Sequence, residues 1–467
     1  MKQRLKPETI KLIPQPVWDI FDRFTKAGFE IYLVGAAVRN LISAKAPVDC
    51  DFTTNAQPAE IRKLFKKSFY DNVFGTVGIP IKVNNHQELY EITTYRKEWG
   101  YSDRRRPDKV VWSNSLEEDL KRREFTISAM VIGPVLQNTQ PATRNRRTLE
   151  LIDLFAGLKD FQNKTVRAVG DPNDRFAEDA LRMLRAIRFA SQLGFIIEQQ
   201  TFQGIKNNIP LIKKISGERI RDELLKILSS DYPADGFTLL LSSGLLEEIL
   251  PELVKEYGVV QARHHQHDVW THSLLSLKFC PSKDPIVRLA TLLHDVGKPV
   301  VAKPNKDVSV TFYNHEIVGA SVTRNIVNRL KFPKKDRERL VKLVRWHQFT
   351  VDERQTDKAI RRFIRNVGKE NLQDILALRI GDRLGGGARE TSWRLEKFKK
   401  RLVEVQKQPF LVTDLKVDGH DVMKILKISP GPLVGKILSQ LFEEVVDGKL
   451  RNERELLLAR LKKVSLK

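Results

Sequence analysis

The stretch from residue 31 to residue 54, IYLVGAAVRNLISAKAPVDCDFTT, constrains this chain more than any other. An apolar run ends at Gly35, and a short helical segment that carries Arg39 follows. Asp49 and Asp51 then lie in a segment that we predict to be a strand, so both carboxylates project to the same side. Carboxylates this close repel each other unless a cation lies between them, and Mg²⁺ favours a few carboxylates together with substrate phosphates. The stretch therefore predicts a site for a metal-bound nucleoside triphosphate.

Length, charge and cysteine content limit the class of protein. A chain of 467 residues is too long for a single core, so we expect several domains. Lysine and arginine number 81 against 58 acidic residues, and this excess of +23 favours a polyanionic partner such as nucleic acid. Only two cysteines occur, which is typical of a reducing cytoplasm without structural disulfides. We predict no transmembrane helix and no signal peptide, because the chain lacks the apolar runs that both require.

The N-terminal part has an α/β pattern up to about residue 135. A helix is predicted over 16–28, and strands over 73–83 and 88–95. Glu91, in the second of these strands, is either a third acid beside the aspartate pair or a solvent-facing residue, and we favour the second interpretation. The polar, charged segment 96–109 is predicted to be a mobile loop. From about residue 160 the chain is predicted to be helical to its end.

Residues 177–193, AEDALRMLRAIRFASQL, are predicted to form one helix with a polar stripe beside its apolar face. The stripe consists of Asp179, Arg182, Arg185 and Arg188. Most such stripes are exposed faces stabilised by intrahelical ion pairs. An aspartate and an arginine held rigidly on one face can also read a base, because arginine donates in a planar fork and aspartate accepts from an exocyclic amine.

Histidines and aspartates with metal-ligand chemistry are spread over the C-terminal half. The ordered set consists of His272, His294, Asp295 and Asp382. Imidazoles and carboxylates in such a set predict a transition-metal site, and His315 and His347 are candidates to complete a site for two metals. The histidines at 264–267 are predicted to lie in a loop. The basic helix at the C-terminus is either a solvated face or an RNA-backbone contact.

In their order and spacing, these motifs resemble the class II tRNA nucleotidyltransferase and bacterial poly(A) polymerase family with an embedded HD domain. The resemblance covers residues 12–456 and rests on VGAAVRN with DCD, LKRREFTISAM, LIDLFAGLKD, EDALRMLRAIRFASQLGF, the H…HD…D set and PGPLVGKIL…DGKLRNERE. It implies an α+β protein whose N-terminal head is a polymerase-β-like nucleotidyltransferase domain with a mixed sheet, followed by helical parts. The implied division is 1–150 for the head, 151–235 for the neck, 236–400 for an HD-type body and 401–467 for a tRNA-binding tail.

The resemblance also implies roles for individual residues. Asp49 and Asp51 would be the catalytic pair that binds two Mg²⁺ ions, while Asp179 and Arg182 would pair with the base of CTP or ATP. The positions that match nucleotide-binding residues of the family are Gly35, Ala36, Arg39, Arg123, Glu124, Asp179, Arg182, Arg185 and Arg188. A hinge between head and neck would contain Asp153, Gly157 and Asp160, and loop 96–109 would act in the switch from C to A addition.

Four positions differ from the family pattern, namely Ala36, Asn40, Glu124 and Ser128, and we expect activity to survive these changes. The leading hypothesis is template-independent addition or repair of the 3′-terminal CCA of tRNA from CTP and ATP. A poly(A) polymerase and a CC- or A-adding specialist are the close alternatives. A hypothesis of another class is a metal-dependent HD phosphohydrolase acting on RNA ends, and a third is a non-catalytic RNA-binding relative. We expect a cytoplasmic protein with no membrane contact and no obligate protein partner.

Overall fold

A computed structural model gives the fold. It describes residues 1–70, 75–83, 86–100, 109–135, 148–261, 267–305, 309–349, 351–352, 354–406 and 412–464. The chain divides into two compact units, residues 1–251 and 252–467.

The first unit is built on a mixed sheet with the strand order β1-β10-β9-β2-β3-β6-β5-β4. All neighbours are antiparallel except β3 and β6, which run parallel. Its strands are β1 (Lys2–Arg4), β2 (Ile31–Val34), β3 (Asp51–Thr54), β4 (Phe69–Tyr70), β5 (Thr76–Val83), β6 (His86–Thr94), β9 (Met130–Pro134) and β10 (Leu149–Asp153). A separate antiparallel ribbon pairs β7 (Arg96–Trp99) with β8 (Lys109–Trp112). The prediction of a loop over 96–109 is therefore wrong at both ends of this segment, which form strands. Residues 101–108 lie outside the described part of the chain.

Alternation along β2 gives the sheet two apolar faces. Ile31 and Leu33 pack into the core formed with α2, whereas Tyr32 and Val34 pack on the opposite face. The helices of this region are α1 (Pro7–Ile10), α2 (Gln15–Lys26), α3 (Ala36–Ile42), α4 (Pro58–Leu64), α5 (Leu116–Lys121) and α6 (Gly157–Gln162). Ser115 caps α5, because its hydroxyl accepts a hydrogen bond from the Glu118 amide at 3.4 Å.

Helices follow the sheet within the first unit. They are α7 (Pro172–Glu178), α8 (Leu181–Leu193), α9 (Gln199–Asn208), α10 (Gly217–Leu228), α11 (Pro233–Ser243), α12 (Leu245–Ile249) and α13 (Pro251–Val254), of which the last crosses into the second unit. A short parallel pair, β11 (Thr165–Val166) and β12 (Ile196–Ile197), lies beside them. This arrangement confirms the predicted α+β fold with a helical part after the head.

Within its described residues the second unit is helical apart from one hairpin of β13 (Lys303–Asn305) and β14 (Ser309–Thr311). The expectation of helices alone from about residue 160 onward is therefore wrong at this hairpin and at the pair β11 and β12. Its helices are α14 (Val269–Phe279), α15 (Pro285–Leu293), α16 (Lys298–Val301), α17 (His315–Arg329), α18 (Lys334–Trp346), α19 (Asp357–Val367), α20 (Leu372–Gly385), α21 (Trp393–Val405), α22 (Gly419–Leu426), α23 (Pro432–Val446) and α24 (Arg454–Leu461). The last three helices have an apolar core of their own, which includes Val422, Leu441 and Leu457.

The division into four parts stays a prediction, although its boundaries need to move. Those expected after residues 150, 235 and 400 fall inside β10, α11 and α21, where a domain boundary would interrupt a hydrogen-bonded element. Within the described residues, none of the helices combines the length and the apolar character needed to span a bilayer.

Candidate functional site

The sheet places the turn at Gly35 next to one of the two predicted metal-binding acids. Val34, the last residue of β2, pairs with Asp51, the first residue of β3, so Gly35 and Asp51 lie at the same edge. Gly35 has φ 68° and ψ −127°, a backbone conformation that side chains other than hydrogen disfavour. No atom lies within 4 Å of the position that a Cβ would occupy there, which leaves open space next to the turn.

Asp49 does not lie in a strand, contrary to the prediction. It precedes β3 with φ 51°, in the left-handed region, and its carbonyl oxygen accepts a hydrogen bond from the Asp51 amide at 3.1 Å. Alternation along an extended strand therefore cannot be the reason why these two acids are neighbours. The turn before β3 brings them together instead, and the negative charge of Asp49 acts on Asp51.

Glu91 lies beside Asp51, which is the interpretation that the sequence analysis did not favour. The two residues pair directly across the parallel strands β3 and β6. Their neighbours Phe52 and Ile92 point into the core on the α2 side, so both acids project from the opposite face. Part of the Asp51 side chain reaches solvent, yet the surrounding protein reduces the hydration of its carboxylate. This desolvation, with repulsion from Glu91 and Asp49 outweighing the attraction of Arg123, raises the pKa of Asp51 to about 6.

Arg39 extends from α3 to two residues of the first unit that lie far away in sequence. Its guanidinium donates to the Ser128 hydroxyl at 3.1 Å and lies 5.1 Å from the centre of the Phe189 ring. Burial, together with the positive charges of Arg188 and Arg123, lowers the pKa of Arg39 to about 10, against the opposing effect of Glu124. Ser128, one of the four positions that differ from the family pattern, thus has a defined contact.

Arg123 and Glu124, two of the predicted nucleotide-binding residues, are held by partners on two helices. Arg123 donates to Asp119 of α5 at 3.5 Å, and the same carboxylate accepts from Thr53 of β3 at 3.0 Å. Glu124 forms an ion pair with Arg185 of α8 at 2.8 Å. Glu124, one of the four positions that differ from the family pattern, thus also has a defined contact.

The helix predicted over 177–193 is interrupted. It consists of α7 and α8, and Asp179 lies between them in an extended conformation, with φ −143° and ψ 106°. The Asp179 carboxylate accepts from the Leu181 amide at 3.0 Å, which places it at the beginning of α8. Asp179 and Arg182 are 8% and 9% exposed, so these two residues do not belong to an exposed stripe, although Arg182 does form an ion pair with Glu178, four residues earlier.

Both predicted base-reading side chains have charged partners, and that of Arg182 is Glu178, which lies one turn before it in the sequence. Arg219 of α10 binds Asp179 through two hydrogen bonds, at 2.8 Å and 3.3 Å. Glu178 accepts from Arg182 at 2.5 Å through one carboxylate oxygen and from Arg175 through the other. Because each side chain is fixed by a charged partner, the pair is oriented before any substrate binds.

Several arginines retain hydrogen-bonding capacity in this region. The buried Nε atoms of Arg123, Arg185 and Arg188 have no hydrogen-bond partner within the described residues. Arg188 forms an ion pair with Glu223 of α10 at 3.0 Å. Unused buried donors on three arginines suit an anionic ligand, since a donor left without a partner costs free energy.

The predicted hinge residues stabilise the junction between the sheet and α6. The Asp153 carboxylate accepts from the amides of Gly157 and Leu158, each at 2.9 Å. A Cβ at Gly157 would lie 2.2 Å from the Thr126 carbonyl oxygen, so the close approach there requires glycine. Asp160 accepts from the Thr126 hydroxyl at 2.7 Å. Whether this junction moves stays a prediction.

The second unit brings all six predicted metal ligands together in two groups. One group is His272, His294 and Asp382, and the other is Asp295, His315 and His347. Within each group the ligand atoms lie within 4.8 Å of one another. Asp295 joins the groups, because one of its oxygens lies 3.2 Å from His294 Nε2 and the other 3.3 Å from His315 Nε2.

The histidines of this cluster are oriented for metal binding. The Nδ1 atoms of His294, His315 and His347 contact the backbone carbonyl oxygens of Thr291, Phe312 and Val344 at 2.7–2.9 Å. If each Nδ1 carries the proton that such a contact requires, each Nε2 is left as a lone-pair donor. The Nε2 atoms of His315 and His347 are 3.3 Å apart, a spacing that two lone pairs do not favour without a shared cation or proton.

Opposite pKa shifts within the cluster have electrostatic causes. Burial, reinforced by the positive charge of His294, lowers the pKa of His347 to about 3. Asp295 and Asp382 overcome the effect of burial and raise the pKa of His294 to about 10. A divalent cation would interact with the carboxylates of Asp295 and Asp382 more strongly than a single proton on His294 does. His264 and His265 lie outside the described residues.

Three family models match the chain. The model described as "Poly A polymerase head domain" matches residues 31–167, the "Probable RNA and SrmB- binding site of polymerase A" matches 194–256, and tRNA nucleotidyltransferase domain 2 matches 310–461. The CCA-adding enzyme of Limosilactobacillus reuteri is 31% identical over 99% of this chain and 99% of that protein. The chain belongs to the CCA-adding enzyme family. It is therefore a nucleotidyltransferase, and the resemblance inferred from its motifs is confirmed.

Solved structures of the family have the same fold. The Bacillus stearothermophilus CCA-adding enzyme in complex with CTP has a TM-score of 0.70 at 26% identity, covering 98% of this chain and 97% of that one. The Thermotoga maritima CCA-adding enzyme complexed with tRNA has a TM-score of 0.59 at 17% identity, covering 99% and 98%, which supports the fold alone. A nucleotidyltransferase of this family is expected to use a divalent metal, whereas the HD domain stays a prediction.

Proposed function

We propose that this chain completes or repairs the 3′-terminal CCA of tRNA, using CTP and ATP without a nucleic-acid template. In each step the RNA 3′-hydroxyl oxygen forms a bond to the α-phosphorus, the bond to the bridging oxygen breaks, and pyrophosphate leaves with its electron pair. The observation that carries the proposal is that the acidic sheet edge and the buried residues Asp179 and Arg182 lie in one compact unit. Arg39 of α3 contacts Phe189 of α8, and Glu124 forms an ion pair with Arg185 of the same helix.

The acidic edge fits a divalent cation. Asp51 pairs with Glu91 across β3 and β6, Asp49 lies in the turn before Asp51, and desolvation together with repulsion from both acids raises the pKa of Asp51. Carboxylates are the oxygen donors that Mg²⁺ prefers, so we propose Mg²⁺ as the metal and Asp49 and Asp51 as the residues that hold it. When bound, Mg²⁺ supplies charge stabilisation for the attacking hydroxyl and for the departing pyrophosphate.

The arginines around this edge would bind the triphosphate. Arg39 lies on α3, Arg123 follows α5, and Arg185 and Arg188 lie on α8. Arg123, Arg185 and Arg188 keep buried donors without a partner in the described part of the chain. Gly35 leaves open space at the turn for close approach of a phosphate group. We propose that these groups hold the triphosphate in line with the RNA hydroxyl, so that positioning and charge supply most of the catalysis.

Asp179 and Arg182 would select the base. Cytosine and adenine both present an exocyclic amine next to an unprotonated ring nitrogen on the Watson–Crick edge. A carboxylate accepts from that amine and a guanidinium donates to that nitrogen, whereas uracil and guanine present the opposite order of groups. The partners Arg219 and Glu178 fix both side chains, so the pair selects without a template strand.

Incorporation assays test this proposal. Purified protein, Mg²⁺ and labelled CTP or ATP are incubated with tRNAs that end at the discriminator base, in C and in CC. We expect CMP addition to the first two and AMP addition to the third. Asp51→Asn should abolish both additions, while Asp222→Asn, at an exposed surface ion pair, should leave both unchanged. Normal incorporation by Asp51→Asn would refute the assignment of the metal-binding acids.

The same site chemistry serves the close alternatives, which the product distinguishes. A poly(A) polymerase would extend RNA with AMP beyond a single residue, and a specialist would stop after CC or add only A. We favour full CCA addition because relatives over the whole chain length are CCA-adding enzymes. Since tRNA maturation in bacteria takes place in the cytoplasm, we propose that compartment as the site of action.

A second candidate function is hydrolysis of phosphate esters at RNA ends by the cluster of the second unit. The observation that favours it is the carboxylate of Asp295, which joins two groups of metal ligands. Two metals held together suit phosphate hydrolysis, in which water forms a bond to phosphorus and the ester oxygen leaves as an alcohol. We expect the purified protein to contain a transition metal and to release phosphate from a 3′-phosphorylated RNA. Absence of phosphate release by the metal-loaded protein, or full release by His294→Ala, would refute this function.

A further inference from the structure

A polar cavity of about 710 Å³ opens next to the histidine–aspartate cluster of the second unit. Its volume is within the usual range for small-molecule sites and exceeds what a phosphate group alone would fill. Three cationic side chains line it together with the predicted metal ligands, and these are Lys298, Arg379 and Arg383.

Two of the three cations are compensated by metal-ligand carboxylates. Lys298 donates to Asp295 and to Gln261, each at 2.6 Å, and is buried. Arg379 donates to Asp382 at 3.0 Å. Lys298 and Arg379 are therefore placed to orient the carboxylates of the candidate metal ligands. Because these carboxylates neutralise most of their positive charge, neither cation attracts an anionic substrate strongly.

The third cation, Arg383, bonds to backbone carbonyl oxygens instead of a carboxylate. Its Nε donates to the Arg389 carbonyl oxygen at 3.0 Å and one terminal nitrogen to the Thr391 carbonyl oxygen at 3.5 Å. In the described part of the chain it forms no ion pair with a carboxylate. The backbone thus holds the guanidinium in place while its positive charge stays uncompensated at the cavity wall.

Helix α20 brings this charge to the cluster. Arg379 and Arg383 are four residues apart and Asp382 lies between them, so all three share one helix face and line the same cavity. A fixed guanidinium next to candidate metal ligands matches a phosphate group, which arginine binds through two parallel hydrogen bonds.

We propose that Arg383 anchors the phosphate of a nucleoside phosphate in this cavity, either as a free nucleotide or as the phosphorylated end of an RNA. The remaining volume would accommodate the nucleoside, and Tyr313, 78% exposed among the lining residues, offers an aromatic face to a base. The proposal rests on the second candidate function, since it names the ligand class of that site.

Phosphate binding tests the anchor separately from hydrolysis. Isothermal titration calorimetry measures the affinity of the Mn²⁺-loaded protein for inorganic phosphate, for 3′-AMP and for a short RNA with a 3′-phosphate. We expect Arg383→Gln to weaken all three at least about tenfold, and Arg383→Lys, which keeps the charge but not the fork, to weaken them less. The matched control is Arg337→Gln, whose guanidinium also bonds to a neutral oxygen, that of Asn328, and which does not line the cavity.

The outcomes separate the anchor from the phosphohydrolase. Bound metal per protein should be the same in wild type and both Arg383 variants, which shows that the cluster is intact. Unchanged phosphate affinity in Arg383→Gln at full metal content would overturn the anchor. Phosphate binding that depends on Arg383, without hydrolysis of any ester, would support the anchor and refute the phosphohydrolase. Tighter binding of 3′-AMP than of the RNA end would identify the free nucleotide as the ligand, and the reverse order the RNA.

Discussion

Glu178→Gln is the most informative single change at the base-reading pair. One carboxylate oxygen of Glu178 accepts from Arg182 at 2.5 Å and the other accepts from Arg175. The side chains of Arg182 and Glu178 are 11% and 21% exposed, so water screens their interaction only weakly. Glutamine keeps one oxygen and places an NH₂ group against one of the two guanidinium groups, so one charged hydrogen bond is lost.

A hydrogen bond to a charged group contributes about 1.5–3 kcal/mol, and its loss frees Arg182 from its fixed orientation. At about 2 kcal/mol, we expect kcat/KM to fall about 30-fold for both CTP and ATP. Affinity for tRNA should be unchanged, because Glu178 is assigned to the nucleotide and not to the RNA. Single-turnover addition to tRNAs ending in C and in CC measures the first quantity, and filter binding measures the second.

The matched control is Glu248→Gln, which removes a carboxylate from an ion pair with the exposed Lys213 at 3.1 Å. Such a pair contributes at most about 1 kcal/mol, and kcat/KM should stay within about twofold of wild type. The reasoning fails if Glu178→Gln retains kcat/KM within about threefold of wild type for both nucleotides. It also fails if tRNA affinity falls in parallel with kcat/KM.

Three further predictions concern charge, metal and packing. Because the pKa of Asp51 is raised from 3.8 to about 6, its protonated carboxyl group favours folding of the metal-free protein below pH 4, and this contribution is lost as the pH rises through about 6. The Tm of wild type relative to that of Asp51→Asn should therefore fall between pH 4 and pH 7, and equal Tm changes in both would contradict it. Chelation of bound metal should lower the Tm of wild type but not that of His294→Ala, and an equal decrease in both would count against the cluster as a metal site. Leu441→Ala should destabilise the core of the last three helices by about 2–5 kcal/mol in urea unfolding, whereas Leu433→Ala, at an exposed leucine of the same helix, should change it by less than about 1 kcal/mol.

The main elements of the fold and the residue types of the metal cluster were largely predictable from the sequence. The apolar run before Gly35 forms β2, and the amphipathic pattern over 16–28 forms α2. The ordered histidines and aspartates are brought together in two groups, as their chemistry predicts. In each case the signal lies in residue type and spacing, which the sequence contains directly.

Contacts between distant elements were not predictable in the same way. Glu91 lies beside Asp51 only because β6 runs parallel to β3 in this register. Arg219 binds Asp179 from a helix 40 residues further along the chain. Such partners depend on tertiary packing, for which a periodic pattern carries no information.

Local backbone geometry caused the remaining errors. Helical periodicity continues across Asp179, yet the chain is extended there, and the carboxylate bonds to the following helix instead. Aspartate favours such junctions because its short side chain competes for backbone amides. The position of Asp49 was mispredicted for a similar reason. Asp49 lies in a turn with a left-handed backbone conformation, where side chains do not alternate as they do along a strand.

Sequencing of product ends tests the central claim most directly. The protein is incubated with Mg²⁺, all four nucleoside triphosphates and a tRNA that ends at the discriminator base, and the 3′ ends are then sequenced. The proposed base selection by Asp179 and Arg182 predicts products that end in CCA, with no U or G incorporated and no further extension. Runs of A, products that stop at CC, or incorporation of U or G at a rate similar to C would contradict it.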